Sequence, residues 1–357
     1  MELQRDGGGA AAMALSLAPT AVPVSERSAL QSAGVDALTP VLALIEDDFA
    51  AVNCLIANQL TSKAALVKEI GRYLIESGGK RLRPALVLLA ARCCEYDGKR
   101  HIALATIIEY LHTATLLHDD VVDRSKLRRG RPTANSLWGN APSVLVGDFL
   151  YSRAFQLMVE LDNKPVLSIL ADATNLIAQG EVMQFSDVGN LSITEERYME
   201  VIRCKSALLF QAAAQSGAVL GGGNPEQVAA LRNFGLEFGM AYQLVDDWLD
   251  YAGDAKFMGK NAGDDLAEGK LTLPLIFTLA NGASAQVDLV RESLITRSAA
   301  RLDDVLGVVK ACGALDYTRA AALRHSQRAM QCLEALPNNE YREALGAFTE
   351  FAQARMA

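Results

Sequence analysis

From Leu38 onward, apolar residues recur at three- and four-residue spacing, the period of an amphipathic helix, while alternating β-branched runs are scarce. Glycine, proline and asparagine clusters interrupt this pattern at Ser77-Gly78-Gly79, Tyr96-Asp97-Gly98, Arg129-Gly130-Arg131-Pro132, Gly139-Asn140-Ala141-Pro142, Asp162-Asn163-Lys164-Pro165, Gly221-Gly222-Gly223-Asn224-Pro225 and Gly253-Asp254. Proline disfavours helix at the residue before it and fits the first turn of the helix that follows, so these clusters read as helix boundaries. Thr194 before Glu195-Glu196 reads as a helix N-cap. The punctuation predicts an all-α, single-domain bundle of roughly ten or more helices over residues 34–357. Residues 1–33, with Gly7-Gly8-Gly9-Ala10-Ala11-Ala12 and scattered prolines, read as a flexible leader.

Two of the predicted helices end in the same acidic pattern, Asp119-Asp120-Val121-Val122-Asp123 and Asp246-Asp247-Trp248-Leu249-Asp250. Residues four apart share a helix face, so Asp119 projects with Asp123 and Asp246 with Asp250, with Asp120 and Asp247 beside them. Like charges that close repel unless cations sit between them, and an array of carboxylate oxygens is what a hard divalent ion requires. Each copy follows an apolar run, Ala114 to Leu117 and Ala241 to Val245, so the carboxylates emerge from a core-facing stripe. His112 lies on the same face as Asp119, two turns back. The arrangement predicts two facing Mg2+ sites. A solvated helix end is the bland reading of either motif alone; the repetition favours metal.

Composition narrows the class. Half the residues are apolar, and the net charge of -8 argues against a nucleic-acid partner, because no basic field exists to attract phosphate backbones. Cys54, Cys93, Cys94, Cys204, Cys312 and Cys332 show no metal-ligand spacing with the four histidines, which fits reduced thiols in a cytoplasmic protein. No apolar run reaches the roughly 18 residues that span a bilayer, and Glu2 and Asp6 stand where a secretory signal would be basic.

The positive charge is clustered at the breaks nearest the acidic helices. Gly78-Gly79-Lys80-Arg81-Leu82-Arg83-Pro84 and Arg128-Arg129-Gly130-Arg131 flank the first motif. Lys205-Ser206 is expected mid-helix, and Gly259-Lys260 and Gly269-Lys270 follow the second motif. A ligand that needs both Mg2+-bridged oxygens and separate Lys/Arg contacts is a diphosphate, and two cation sets suggest two of them.

These segments together resemble the defining motifs of the trans-isoprenyl diphosphate synthases: Gly78 to Pro84, Leu116-Leu117-His118-Asp119-Asp120-Val121-Val122-Asp123 with Arg128-Arg129-Gly130, and Tyr242-Gln243-Leu244-Val245-Asp246-Asp247-Trp248-Leu249-Asp250. The resemblance runs from about residue 38 to the C-terminus. His112 to Asp120, and Gly147-Asp148-Phe149-Leu150-Tyr151-Ser152-Arg153-Ala154-Phe155, are most similar to the octaprenyl-type synthases of bacterial quinone biosynthesis. The resemblance implies the isoprenoid synthase fold, helices around a central cavity, and head-to-tail condensation of isopentenyl diphosphate onto an allylic diphosphate such as farnesyl diphosphate, supplying the side chain of ubiquinone or menaquinone.

By the same resemblance, Asp119, Asp120 and Asp123 bind two Mg2+ on the allylic diphosphate, and Asp246, Asp247 and Asp250 bind a third. Arg128, Lys205, Lys260 and Lys270 hold that diphosphate, Lys80, Arg83, His112 and Arg129 hold isopentenyl diphosphate, and Ser206 and Gln243 face the carbocation. Ser206 stands where the family usually has Thr, and Leu271 where Pro is common. Ala114 and Thr115, one turn before Asp119, flank the path of the growing chain, and Met158 is placed at its end. His118 is expected to pack structurally, and Trp248 and Tyr242 to fill core. A homodimer is implied, with peripheral membrane contact for product release. Three readings stand against the long-chain synthase: a farnesyl- or geranylgeranyl-length synthase, a terpene cyclase, which needs no second diphosphate site, and a catalytically silent regulatory subunit, which would be expected to lose one aspartate cluster.

Overall fold

The computed structural model describes residues 38–252, 263–297 and 299–356. The leader assigned to 1–33 and the break at Gly253-Asp254 lie outside the described residues. Among those described, the chain is helical almost throughout, as its periodicity requires. After a helical stretch over residues 38–44 come α1 (Glu46–Gln59), α2 (Ala65–Glu76), α3 (Leu82–Cys93) and α4 (Arg100–Val122). A two-residue antiparallel ribbon follows, β1 (Leu127–Arg128) against β2 (Arg131–Pro132), with Arg128 opposite Arg131. The sequence punctuation marks a helix boundary there, and Arg129 and Gly130, both at positive φ, make it a tight turn.

Next come α5 (Ala134–Trp138), α6 (Asn140–Leu161), α7 (Lys164–Asp187), α8 (Glu195–Ile202), α9 (Leu208–Leu220) and α10 (Pro225–Ala252). The remainder is α11 (Asp264–Glu268), α12 (Leu273–Asn281), α13 (Ser284–Thr296), α14 (Leu302–Ala311), α15 (Ala314–Cys332) and α16 (Glu340–Ala354). Capping follows the local sequence. Asn163 accepts from the Val166 N–H at the start of α7, with Pro165 in the first turn, and Thr194 accepts from the Arg197 N–H at the start of α8.

The main core gathers α1, α3, α4, α6, α7, α9, the first half of α10 and α16, with Leu86, Leu89, Ile107, Ile108, Phe234 and Phe348 fully buried. Helices α3 and α9 are buried over most of their circumference, which is what inner helices of a bundle require. A second cluster joins α8 to α10 and α15, and a third packs α12 to α15. Among the described residues no helix is long and apolar enough to cross a membrane.

One irregularity positions chemistry. Arg203–Ala207, expected as ordinary helix, forms a π-helical turn between α8 and α9. Such a turn carries one extra residue and leaves carbonyls outside the regular ladder. Two glycines hold it. A Cβ at Gly180 of α7 would come within 2.8 Å of the Lys205 amide nitrogen, and one at Gly239 of α10 within 2.6 Å of the Ala207 Cα, so no larger residue fits at either position.

Candidate active site

A cavity of about 1190 Å³ opens between α4, α7, the π-helical turn, α10 and α16. Asp119 and Asp123 enter it from the end of α4, and Asp246, Asp247 and Asp250 from the end of α10. Its deeper wall is apolar, with Thr115, Leu116, Ile177, Val201, Ile202 and Leu209. The basic residues expected at two diphosphates, Lys80, Arg83, Arg128, Arg129, Lys205 and Lys270, all line it with His112, Ser206 and Gln243. Lys260 lies outside the described residues.

Each carboxylate of the first motif has a cation of the protein's own. Lys205 Nζ stands 3.5 Å from Asp119 and 2.6 Å from Glu181, and donates to Gln184 at 2.8 Å. Lys270 Nζ lies 2.7 Å from both Asp123 and Glu268. Asp120 departs from the sequence reading. It is buried, does not line the cavity, and takes a two-pronged contact from Arg128, Nη2 at 2.7 Å and Nε at 2.9 Å. Successive helical residues diverge by about 100°, so Asp119 and Asp123 share the cavity face while Asp120 points aside. Arg128 thereby pairs with the motif itself while also lining the cavity.

The second motif is compensated differently. Arg355 donates to Asp246 at 2.5 Å and lies 4.8 Å above the Tyr242 ring. Asp247 accepts from the Tyr198 hydroxyl and from Gln243 at 2.8 Å, and Asp250 accepts from the Asp265 amide at 3.3 Å. Burial, then the Asp265 charge, pushes Asp247 to about 7 and Asp250 to about 9. Among the described residues, no three acidic, histidine or cysteine side chains already converge as a metal cluster. The premise that only metal relieves the repulsion is therefore corrected: lysine, arginine and hydrogen-bond donors do part of it. The donor set still fits Mg2+, being hard carboxylate oxygens without thiolate or imidazole, with Asp247 and Asp250 raised by burial and the Asp265 charge.

Where the cavity turns basic, beside Arg355, Lys80 lies 4.4 Å over the Phe351 ring, and burial, then Arg355, lowers its pKa to about 8. Arg83 stacks 4.0 Å over Phe210, and its Nη1 lies 3.2 Å from His112 Nε2. Burial, then the Arg83 charge, holds His112 well below the usual histidine range, so it meets Arg83 as a neutral ring. Ser206 donates to Gln243 at 2.7 Å, making a chain from Ser206 through Gln243 to Asp247 and Tyr198. Their polar atoms engage one another first. Leu271, in place of the family's usual proline, lines the cavity beside Lys270.

Of the chain-path residues, Thr115 lines the cavity; Ala114 and Met158 do not, and both are packed in the main core. Ala114 lies one helical step, about 100°, from Thr115, which turns it toward neighbouring helices. His118 packs as expected, its Nε2 3.3 Å from the Val144 carbonyl and 3.3 Å from Asp148. Tyr242 and Trp248, expected as core filling, both line the cavity. Sequence reasoning missed Glu181, Gln184, Tyr198, Glu109 and Arg355. Glu181 and Gln184, three apart on α7, carried a signal in their spacing; Arg355, at the far end of the chain, carried none.

The polyprenyl synthetase family profile matches residues 64–311. The chain belongs to this family. It is 46% identical over 313 residues to octaprenyl diphosphate synthase of Escherichia coli (strain K12), covering 87% of this chain and 97% of that one. It is likewise 46% identical over 323 residues to all-trans-nonaprenyl-diphosphate synthase (geranyl-diphosphate specific) of Rhodobacter capsulatus, covering 90% and 99%. Among solved structures, a polyprenyl synthase from Caulobacter crescentus CB15 complexed with calcium and isoprenyl diphosphate superposes with a TM-score of 0.86 at 43% identity, covering 90% of this chain and 98% of that one. Family membership makes the chain a prenyltransferase with the isoprenoid synthase fold, handling isoprenyl diphosphates with a divalent metal.

Proposed function

We propose that the protein is a long-chain trans-polyprenyl diphosphate synthase that adds isopentenyl diphosphate repeatedly to an allylic primer and furnishes a quinone side chain. The observation that carries this reading is one cavity with two facing carboxylate motifs, a separate basic end and an apolar depth beyond them. A terpene cyclase has no use for the basic end, and a silent subunit has no use for two intact motifs. The relatives' octaprenyl and nonaprenyl names favour a long product.

Asp119, Asp123, Asp246, Asp247 and Asp250 would hold Mg2+, three ions in all, which supply Lewis-acid stabilisation of the leaving diphosphate oxygens. Lys205 and Lys270, already aimed at the carboxylates, neutralise charge that develops as the allylic C–O bond breaks, and cost little reorganisation because protein contacts fix them. Carbonyls of the π-helical turn and the Ser206–Gln243 pair present negative dipoles to the carbocation. Lys80, Arg83 and Arg129 orient the second diphosphate, whose alkene attacks, and the proton leaves to the released diphosphate rather than to a protein base. Thr115 and Ile177 flank the first length of chain below the metals.

The exposed apolar residues Leu145 and Val159 of α6 and Val182 and Phe185 of α7 support a homodimer through this face, with a cytoplasmic enzyme releasing its product at a membrane surface. The deciding experiment is incubation of the purified chain with labelled isopentenyl diphosphate, farnesyl diphosphate and Mg2+. Chromatography should give a long prenyl product; no product would overturn the synthase reading, and a farnesyl- or geranylgeranyl-length product would favour the short-chain alternative.

A further inference from the structure

Glu109 sits on α4 one turn before His112, at the basic end of the cavity, and no step derived above uses it. It also lines a smaller cavity of about 70 Å³ together with Arg81, Arg129, Tyr73 and Tyr110. Its Oε1 lies 4.0 Å from Arg81 Nε, while its Oε2 is buried without a hydrogen-bond partner. Burial raises the Glu109 carboxyl above the usual range, and the charges of Arg81, Arg83 and Arg129, which line the same cavity, act against that rise, so one carboxyl stands among three guanidinium groups. Arg83 Nε is likewise buried without a partner. A buried carboxylate oxygen and a buried guanidinium N–H left unpaired each cost about 1–3 kcal/mol, more when charged, so their retention at one end of one cavity calls for a reason.

The backbone adds to it. Arg81 and Arg129 both sit in the left-handed region, at φ 44° and 55°, which costs a non-glycine residue about 1–2 kcal/mol. Arg81 is tied to Asn53, and Arg129 donates to the Gly78 carbonyl across a gap that exists because Gly79 has no Cβ. Two strained loops are thus drawn together with their guanidinium groups aimed into one space. Three such groups alone would repel. Glu109 is the acidic side chain that faces all of them.

Resting on the reading of this end as the isopentenyl diphosphate subsite, we propose that Glu109 is its positioning residue: the counter-charge that gathers Arg81, Arg83 and Arg129 into the spacing a diphosphate requires. The sign of the effect separates this role from bulk electrostatics. A carboxylate near an anion site weakens anion binding by simple repulsion, so its removal should tighten binding; a carboxylate that sets the spacing weakens binding when removed.

The test is steady-state kinetics of the full-length enzyme with Mg2+, varying each substrate in turn, for wild type, Glu109→Gln, Arg81→Gln and the double variant. Glu109→Gln keeps shape and loses charge. It should raise KM for isopentenyl diphosphate about tenfold or more, the loss typical of one charged contact, with the allylic KM and kcat within about threefold. The double variant should be no worse than Glu109→Gln alone, since Arg81 is placed through Glu109. An unchanged or lowered KM in Glu109→Gln, equal changes in both substrates' constants, or independent multiplication in the double variant would each overturn the proposal. Should Glu109→Gln not fold, Glu109→Asp, which keeps the charge on a shorter stem, must show the same substrate-selective rise. Wild-type enzyme that makes no product from isopentenyl diphosphate would overturn the functional reading and this proposal with it.

Discussion

The two aspartate motifs share one spacing and occupy unlike surroundings. At the end of α4, Lys205, Arg128 and Lys270 stand against Asp119, Asp120 and Asp123, a cation for every carboxylate. At the end of α10, Arg355 serves Asp246, while among the described residues Asp247 and Asp250 take hydrogen bonds from neutral donors and are pushed up into the neutral-to-alkaline range. A motif therefore fixes which oxygens are offered, while the packing around it fixes their charge. Metal added to the first end must compete with lysines. Metal added to the second replaces protons.

The largest effect in this comparison should come from removing a cavity-facing carboxylate at either end. Asp119→Ala and Asp246→Ala are expected to lower turnover by about 10³-fold or more, since stabilisation of the leaving diphosphate is the main catalytic contribution. Asp120→Asn should act differently. It breaks the Arg128 pair and should lower stability by roughly 2–4 kcal/mol in chelator, the cost of stranding one partner of a buried pair. Asp250→Asn should instead raise the melting temperature of the metal-free protein above pH 7 while abolishing activity; equal shifts for Asp120→Asn and Asp250→Asn would erase the distinction between the two ends.

A smaller effect concerns the apolar depth. Thr115→Phe should shorten the product to farnesyl or geranylgeranyl length with turnover largely kept. Ala114→Tyr, at a fully buried position, should cost about 1–3 kcal/mol of stability by overpacking. Product chromatography and thermal melts separate the two, and long products from Thr115→Phe would show that the chain takes another path.

The smallest effect is one of pH. Lys80 must be an ammonium to bind diphosphate, and its pKa is lowered to about 8. It is protonated below that value and loses charge above it, so KM for isopentenyl diphosphate should be flat up to about pH 7 and rise several-fold by about pH 9. Lys80→Arg should flatten the profile; an unchanged profile in that variant would assign the rise to another group.

Fold class and most helix boundaries were legible because helical periodicity and Gly/Pro/Asn punctuation act locally. Asp119, Asp123 and Asp246 were legible through their i, i+4 spacing. What escaped was contact across the fold. Asp120 read as a metal ligand because spacing alone does not reveal that Arg128, eight residues on, folds back over it. Arg355 meets Asp246 over more than a hundred positions, which no local pattern announces. The π-helical turn at Lys205 arises from Gly180 and Gly239 on two other helices, and Ala114 differs from Thr115 only by one helical step.

Proton release on metal binding tests the unequal charge of the two ends most directly. Calorimetric titration of Mg2+ into the metal-free enzyme at pH 7.5, in buffers of different ionisation enthalpy, should show release of about one proton per site in wild type. Asp123→Asn should retain that release and Asp250→Asn should lose it. No proton release in wild type, or equal loss in both variants, would contradict the account.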